Sequence, residues 1–214
     1  MMYTVKEIYF TLQGEGSQTG RAAVFLRFAG CNPWTGRERD RPAASCRFCD
    51  TDFVGTDGPG GGKFATTAQL AAAVADAWLG DREGAVPYVV CTGGEPLLQP
   101  DRQLADALHD RGFEAGIETN GTIAAPPDID WICVSPKGDV PLVQDRGDEL
   151  KLVYPQAERA GQPDRFEKLD FEHWFLQPLD DANRDEHTRA TIRYCLDHPR
   201  WRLSVQTHNG LGIP

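Results

Sequence analysis

The chain has 214 residues, 25% of them charged, and a formal net charge of −10. This length fits one domain, expected over residues 1–214, and the composition is typical of a globular protein. The acidic excess argues against a nucleic-acid-binding surface, because phosphate binding needs clustered Lys and Arg. A membrane span would need a run of about 18 apolar residues, and the sequence has none.

The first residues lack the apolar segment of a signal peptide, so the sequence predicts a cytoplasmic protein with reduced thiols. We therefore do not expect its six cysteines to form a disulfide framework. Cys91 and Cys133 end apolar runs, and Cys195 falls in a predicted helix. These three are interpreted as small buried hydrophobic residues.

The first predicted elements are two apolar segments joined by a glycine turn. Residues 8–12 precede the turn 13–16 (Gln-Gly-Glu-Gly), whose glycines permit close approach to a ligand or simply form the turn. Residues 22–28 predict a buried strand that contains Arg27. A buried guanidinium needs an anionic partner, and the spacing is compatible with either an internal ion pair or a ligand carboxylate.

The next segment is a polar loop with three cysteines, Cys31, Cys46 and Cys49. Fourteen residues separate the first two, and two separate the second pair. Three thiolates suit a four-iron cluster whose fourth iron stays open to a small molecule. A structural zinc site is the alternative, but it normally needs four ligands, and this loop contains no His. The ligand count therefore favours an open iron–sulfur cluster.

Beyond this loop, strands that end in polar loops recur about six times, with about three convincing crossover helices. This order predicts a parallel α/β sheet whose functional residues lie at the carboxyl ends of the strands. A complete eight-fold barrel usually needs about 250 residues, so we expect an incomplete TIM-type barrel. The predicted helices span 66–79, 101–111 and 183–196, and the later strands span 86–91, 113–117, 131–134, 149–153, 174–176 and 202–205.

Two motifs carry a resemblance to the radical S-adenosylmethionine superfamily: 46–49 (Cys-Arg-Phe-Cys) and 92–96 (Thr-Gly-Gly-Glu-Pro). In that superfamily three cysteines hold a [4Fe–4S] cluster, and its unique iron chelates the amino and carboxylate groups of S-adenosylmethionine. Three residues usually separate the first two cysteines, whereas here there are fourteen. This longer interval and the segment 12–16 narrow the resemblance to the 7-carboxy-7-deazaguanine synthase family, with which matching motifs extend over nearly the whole chain.

The resemblance implies a carbon–nitrogen lyase of 7-deazapurine (queuosine-type) biosynthesis. Its reaction converts 6-carboxy-5,6,7,8-tetrahydropterin to 7-carboxy-7-deazaguanine with loss of ammonia. A 5'-deoxyadenosyl radical would take hydrogen from C6 of the pterin and later recover it, so that S-adenosylmethionine acts catalytically. The implied cofactors are a [4Fe–4S] cluster, S-adenosylmethionine and Mg²⁺, with no side-chain radical. A homodimer and a flavodoxin or ferredoxin-type electron donor are also implied.

The site residues implied by the resemblance form three groups. The metal ligands are Cys31, Cys46 and Cys49 for the cluster and Thr51 for Mg²⁺. The S-adenosylmethionine contacts are Arg47, Phe48, Asp50, Gly93, Gly94, Glu95, Glu118 (towards the ribose), Ser135, Pro136, Lys137, Gln177, Pro178, Leu179 and Asp180. The substrate contacts are Leu12, Gln13, Gly14, Glu15, Arg27, Thr92, His208 and the terminal carboxylate of Pro214.

Several alternatives stay open at this point. Glu118 and Lys137 could form ordinary ion pairs, and His208 could be a turn residue. An activase that acts on a glycyl-radical protein would use the same cysteines, and a zinc-binding module would need no catalysis. The interval between the first two cysteines contains three arginines that could dock an electron donor or could lie in a solvated loop: Arg37, Arg39 and Arg41.

Overall fold

The computed structural model describes residues 2–81 and 83–214. Over these residues the chain forms nine strands and four α-helices. The strands are β1 (Tyr3–Leu12), β2 (Ala22–Phe28), β3 (Gly62–Phe64), β4 (Tyr88–Gly93), β5 (Glu114–Thr119), β6 (Trp131–Val134), β7 (Arg146–Tyr154), β8 (Asp170–Pro178) and β9 (Arg202–Leu203). The helices are α1 (Thr67–Ala77), α2 (Arg102–His109), α3 (Arg184–Asp197) and α4 (Thr207–Leu211).

All nine strands belong to one open sheet in the order β3-β1-β2-β4-β5-β6-β7-β8-β9. From β2 to β9 each neighbouring pair is parallel, whereas β1 pairs antiparallel with both β2 and β3. The predicted incomplete TIM-type barrel is therefore confirmed, with seven parallel strands where about six were expected. Because parallel strands share one direction, their carboxyl ends meet at one edge of the sheet.

The three predicted crossover helices are present: α1 and α2 are slightly shorter than predicted, and α3 is shifted by one residue. The Thr66 hydroxyl caps α1 by accepting a hydrogen bond from the Gln69 N–H, and the Asp101 carboxylate caps α2 in the same way. Helix α1 ends at Ala77 because Trp78 adopts an extended backbone. Its ring packs edge-on against Phe10 and Phe113, which fixes this end of the helix against the sheet.

The apolar core lies between the sheet and the helices in two main clusters. The larger one joins β1, β2, β4 and β5 to α1 and α2, and the second joins β7 and β8 to α3. Cys91 and Cys133 are buried, as predicted, whereas Cys195 is only half-buried. All six cysteines are free. None of the helices in the described part of the chain has the length and apolarity needed to cross a membrane.

Candidate functional site

The three motif cysteines lie together at the carboxyl edge of the sheet, in a segment we call the cluster loop (residues 31–52). Cys31, Cys46 and Cys49 line one cavity and pack with Trp34 and Phe53 in a small apolar cluster. This loop follows β2 directly, so the sheet fixes where it begins. The structure thus brings together three thiols that are separated by up to seventeen residues in sequence.

The thiols of this loop interact with one another. The Cys46 thiol donates a hydrogen bond to the Cys49 sulfur, which lowers the pKa of Cys49 to about 6. The same hydrogen bond, together with burial, raises the pKa of Cys46 far above its usual range. Burial raises the pKa of Cys31 to about 11. A bound metal cluster would supply the positive charge that keeps all three thiolates ionised.

The donor set fits an iron–sulfur cluster better than zinc. Over residues 2–81 and 83–214, no three His, Cys, Asp or Glu side chains converge closely enough to hold a single metal ion. A closed zinc site requires such convergence, since four ligands bind one ion. A [4Fe–4S] cluster does not require it, because each thiolate binds a different iron atom. Three thiolates, with no histidine in the loop to complete a zinc site, are therefore the donor set that suits the cluster.

Arg41 holds the second half of the cluster loop from outside. Its Nη1 donates hydrogen bonds to the carbonyl oxygens of Arg47 at 2.7 Å and Cys49 at 3.0 Å. The guanidinium also pairs with Glu38 and lies 4.3 Å from the centre of the Trp34 ring. These contacts fix the backbone on both sides of the last cysteine. Arg41 is therefore engaged within the loop and is not a free surface cation.

Two glycines let the loop after β4 lie against the cluster loop. Gly93 has φ +136°, and a Cβ at this position would collide with the backbone of Phe28. A Cβ at Gly94 would collide with the carbonyl of Gly30 and approach Cys31. Both glycines line the cavity of the cysteines. Only glycine permits this approach of two backbones beside the first thiol.

Glu95 follows these glycines but does not line either cavity of the site. Its carboxylate accepts hydrogen bonds from the Thr119 hydroxyl at 2.7 Å and from the Asn120 N–H at 2.8 Å. A third hydrogen bond, 3.0 Å long, comes from the Leu97 N–H. Burial raises the pKa of this fully buried carboxyl despite these donors. Glu95 therefore joins the loops after β4 and β5, and its predicted contact with S-adenosylmethionine stays a prediction.

A second group of polar residues, which we call the Lys151 network, lies beside the cysteine cavity. Its members are Gln13, Glu15, Glu118, Lys151 and Gln177. The Lys151 ammonium lies 2.6 Å from Glu15 Oε2 and 2.8 Å from Glu118 Oε2. Gln177 donates to the other oxygen of Glu15, and Gln13 donates to the other oxygen of Glu118. Side chains from four strand ends are thus joined in one hydrogen-bonded group.

The charges of this network stabilise one another. Burial alone would raise the pKa of Glu15, but the Lys151 ammonium outweighs it and lowers this pKa to about 2. Burial alone would lower the pKa of Lys151, but Glu118 and Glu15 hold it well above its usual value. Both groups are therefore ionised at neutral pH. Glu149 lies nearby, and burial raises its pKa while its carboxylate accepts a hydrogen bond from the Ser17 N–H.

A second cavity adjoins the first at the same edge of the sheet. Their volumes are about 170 Å³ for the first and 540 Å³ for the second, and the second lies in the range usual for small-molecule sites. Six of the eight predicted substrate residues line the second cavity but not the first: Leu12, Gln13, Gly14, Arg27, His208 and Pro214. The residues shared by both cavities are Glu15, Asp50, Thr51, Thr92, Glu118, Asp180 and Gln206.

Arg27 has an internal partner in addition to its place in the second cavity. Its Nε donates to Glu7 Oε1 at 2.7 Å, and its Nη2 donates to the Tyr9 hydroxyl at 3.0 Å. In the described part of the chain, Nη1 donates no hydrogen bond. The internal ion pair left open by the sequence is therefore present, and one edge of the guanidinium remains for an anionic ligand.

The C-terminal segment closes one side of the second cavity. The N–H and hydroxyl of Thr207 both donate to the Gly14 carbonyl at 3.0 Å. A Cβ on Gly14 would collide with the His208 ring, so glycine is required for this contact. The Thr11 hydroxyl donates to the Pro214 carbonyl at 3.0 Å. These contacts bring two distant predicted substrate residues, Gly14 and His208, into direct contact.

Most of the other predicted contacts also line the first cavity. Lys137 lies there with its ammonium 2.6 Å from the Ser135 hydroxyl, and its charge lowers the pKa of Cys46 and Cys49. Arg47 and Pro136 do not line either cavity: the Arg47 side chain is exposed to solvent, and Pro136 is buried. The further predicted residues that line the first cavity are Phe48, Ser135, Gln177, Pro178 and Leu179.

The sequence analysis missed Lys151, which lies at the centre of the site. A signal was available, because a lysine within an apolar strand needs an anionic partner for the same reason as Arg27. It also missed Gln206, which donates to the Asp50 carboxylate at 3.3 Å and borders both cavities. No local pattern distinguishes this glutamine from a surface residue.

Comparison with known proteins agrees with this geometry. The family model for the radical SAM superfamily matches residues 42–133. Proteins named 7-carboxy-7-deazaguanine synthase from Bordetella pertussis and Burkholderia multivorans are 63% and 56% identical to the chain, each over 100% of both sequences.

A solved structure, the crystal structure of QueE from Escherichia coli, superposes with a TM-score of 0.67 at 27% identity. The match covers 96% of this chain and 94% of that chain. The identities of 63% and 56% over the full length of both sequences, together with the three-cysteine cavity, identify the family. The chain belongs to the 7-carboxy-7-deazaguanine synthase family of radical SAM enzymes, which use a [4Fe–4S] cluster and S-adenosylmethionine.

Proposed function

We propose that this protein converts 6-carboxy-5,6,7,8-tetrahydropterin to 7-carboxy-7-deazaguanine with loss of ammonia, as a step of 7-deazapurine (queuosine-type) biosynthesis. The observation that carries the proposal is the pair of adjoining cavities. One is lined by the three cysteines, and the other by Arg27 and the turn 13–16, with Glu15 and Glu118 between them. A radical formed beside the cysteines would therefore arise next to a molecule held at Arg27.

When bound, the cluster and S-adenosylmethionine would supply a 5'-deoxyadenosyl radical that removes and later returns one hydrogen atom. Cys31, Cys46 and Cys49 would hold the cluster. Gly93 and Gly94 would leave their backbone groups open to the methionine part of S-adenosylmethionine, since they carry no side chain. Glu118 would accept hydrogen bonds from the ribose hydroxyls. The protein's role is to position the ligands and to exclude water.

The substrate would lie in the second cavity. Arg27 would pair with the substrate carboxylate through its remaining edge, while Glu7 keeps the guanidinium in place. Gln13, Gly14 and Glu15 would bind the ring edge through backbone and side-chain hydrogen bonds. Because Glu15 is ionised, it would accept hydrogen bonds from the N–H groups of the pterin. His208 and the C-terminal segment would close this cavity.

A magnesium ion would lie near Thr51, where both cavities meet. The Thr51 hydroxyl lies 3.4 Å from the Asp50 carboxylate, so oxygen donors suited to Mg²⁺ are close to each other. Held by these oxygens, Mg²⁺ would supply positive charge beside the substrate carboxylate. The neighbouring Asp52 is engaged by Lys6 at 2.7 Å and is not assigned to the metal.

The assembly and the electron donor are also proposals. We expect residues 1–214 to act as one domain, in a homodimer reduced by a flavodoxin or a ferredoxin-type protein. Arg37 and Arg39 are exposed beside the cluster loop and would meet an acidic donor, whereas Arg41 is engaged internally. The test compares turnover of Arg37→Ala and Arg39→Ala with that of the wild type, once with a protein donor and once with dithionite. If the variants match the wild type with both reductants, the docking proposal is wrong.

An anaerobic assay tests the function directly. Reconstituted protein is incubated with dithionite, S-adenosylmethionine, Mg²⁺ and 6-carboxytetrahydropterin, and the deazaguanine product is followed by mass. We expect product from the wild type and from Cys195→Ala, and none from Cys49→Ala. Cleavage of S-adenosylmethionine with the pterin unchanged would overturn the substrate assignment and direct attention to a protein substrate. A colourless protein with one zinc and no iron would overturn the enzymatic proposal.

A further inference from the structure

We propose that Lys151 is a positioning residue that sets two carboxylates for two different ligands. One carboxylate, Glu15, faces the pterin in the proposed function, and the other, Glu118, faces the ribose of S-adenosylmethionine. The inference therefore rests on that proposed function. It assigns to Lys151 a role that neither ligand would reveal by itself, because the ammonium acts on each ligand through a different glutamate.

The geometry around Lys151 is that of a shared clamp. Its ammonium bonds to Oε2 of both glutamates, at 2.6 Å for Glu15 and 2.8 Å for Glu118. Gln177 and Gln13 bond to the opposite oxygens at 3.0 Å and 2.8 Å. Each carboxylate is thus held at both oxygens, which fixes the plane of the group as well as its position.

Lys151 connects parts of the chain that are far apart in sequence. Glu15 lies in the turn after β1, Glu118 in β5 and Lys151 in β7. The two ion pairs span 136 and 33 residues of sequence. Within residues 2–81 and 83–214, Lys151 is the only basic residue that bonds to either carboxylate. Its side chain is 6% exposed, so no solvent cation replaces it readily.

Removal of the ammonium would affect both ligands for the same electrostatic reason. Two carboxylates in one poorly hydrated site repel each other, so each would turn away or take up a proton. Either change withdraws hydrogen-bond acceptors from the place where a ligand needs them. A misplacement of about 1 Å can reduce function about 100-fold, so a clear change in affinity is expected for both ligands.

The test is a pair of double-mutant cycles on the reconstituted, anaerobic holoenzyme. Lys151→Gln is made in the wild type, in Glu15→Gln and in Glu118→Gln. Calorimetry then gives the dissociation constants of S-adenosylmethionine and of 6-carboxytetrahydropterin separately. In the wild-type background we expect Lys151→Gln to weaken both by about tenfold. In Glu118→Gln its effect on S-adenosylmethionine is lost while its effect on the pterin remains, and in Glu15→Gln the reverse holds.

Additional variants keep this test decisive. Lys168→Gln removes an exposed lysine and is expected to change neither affinity. If Lys151→Gln does not fold, the same cycles with Lys151→Met, which also removes the ammonium but keeps the length of the side chain, give the same prediction. Equal weakening of both ligands in all three backgrounds would mean a general structural role and would overturn the inference, as would unchanged affinities.

The failure of the proposed function would look different. A wild type that binds S-adenosylmethionine but not the pterin would overturn the substrate assignment, and with it the two-ligand role of Lys151. A wild type that binds both ligands, together with an effect of Lys151→Gln on only one of them, would overturn the inference alone.

Discussion

The Lys151 network and the cluster loop both supply side chains to the site, but they are held in opposite ways. Three of the five network residues, Glu118, Lys151 and Gln177, lie in strands whose backbone is fixed by the ladder hydrogen bonds of the sheet, and Gln13 and Glu15 lie in the turn after β1. The cluster loop has no regular structure beyond the short 3₁₀ turn Glu38–Ala43. It is held by its own side chains, chiefly Arg41 on backbone carbonyls and Trp34 against Phe53.

The comparison shows where each part is vulnerable. In the Lys151 network the sheet holds the backbone in place, so the stability of the site depends on whether the charges of the side chains are balanced. In the cluster loop, the positive charge that balances the thiolates would come from the metal cluster. The conformation of the loop itself therefore depends on packing and on hydrogen bonds to carbonyl groups. Charge changes should therefore act most strongly at the strand ends, and shape changes most strongly beside the cysteines.

The largest effect is expected from Glu15→Gln, which unbalances the network. The pKa of Glu15 is lowered from 4.5 to about 2, which corresponds to about 3 kcal/mol of stability at neutral pH. Because the folded-state pKa is the lower one, this stability is present above about pH 5 and is lost as the pH falls towards 2. Chemical denaturation from pH 7 to pH 2 should show the difference between variant and wild type shrinking over that window. A constant difference would contradict the ion-pair explanation.

A change of shape beside the cysteines should have the next largest effect. Gly94→Ala places a Cβ against the Gly30 carbonyl and Cys31. Such overpacking lowers the free energy of unfolding by about 2 kcal/mol. We expect reduced iron content after reconstitution and a weaker absorbance of the cluster. Gly210→Ala is the matched control, since a Cβ there meets nothing within 4 Å. Equal iron content in the two variants would show that the close approach is not needed.

Arg41→Ala should loosen the cluster loop without disturbing the sheet. It removes two hydrogen bonds to carbonyls and the stacking on Trp34. The expected result is faster loss of iron to a chelator, with nearly unchanged unfolding of the apoprotein. Arg39→Ala, at a 73% exposed position, should behave like the wild type. Similar iron loss in both variants would refute a specific role of Arg41.

The smallest effect is expected from Glu149→Gln, at the margin of the network. Burial raises the pKa of Glu149 above 4.5, so its folded form prefers the proton. The unfolding free energy of the wild type should therefore decrease as the pH rises from 4.5 to the raised pKa of Glu149, because the carboxyl loses its proton in this range. Glu149→Gln, which can still accept from the Ser17 N–H, should lack this decline. Identical pH profiles for the two proteins would contradict the assignment.

Some of the site could be predicted because its signals are local. The Cys-Arg-Phe-Cys and Gly-Gly-Glu-Pro segments keep their chemistry whatever surrounds them, and Arg27 is conspicuous within an apolar strand. The functions of Glu95 and Arg41 could not be predicted in this way. The hydrogen-bond partners of the Glu95 carboxylate come from a different strand end, and the contacts of Arg41 depend on how an irregular loop folds back on itself.

The sequence by itself determined the order of most strands and helices, though not β3 or α4, together with the parallel sheet and the family of the chain, because periodicity and short motifs are properties of neighbouring residues. The tertiary structure alone decided that Lys151 joins Glu15 to Glu118, that Arg27 is shared between Glu7 and a cavity, and that His208 lies against Gly14. These pairings depend on sheet register and on which strand ends become neighbours. Register is set by the packing of the whole sheet, so no local pattern specifies it.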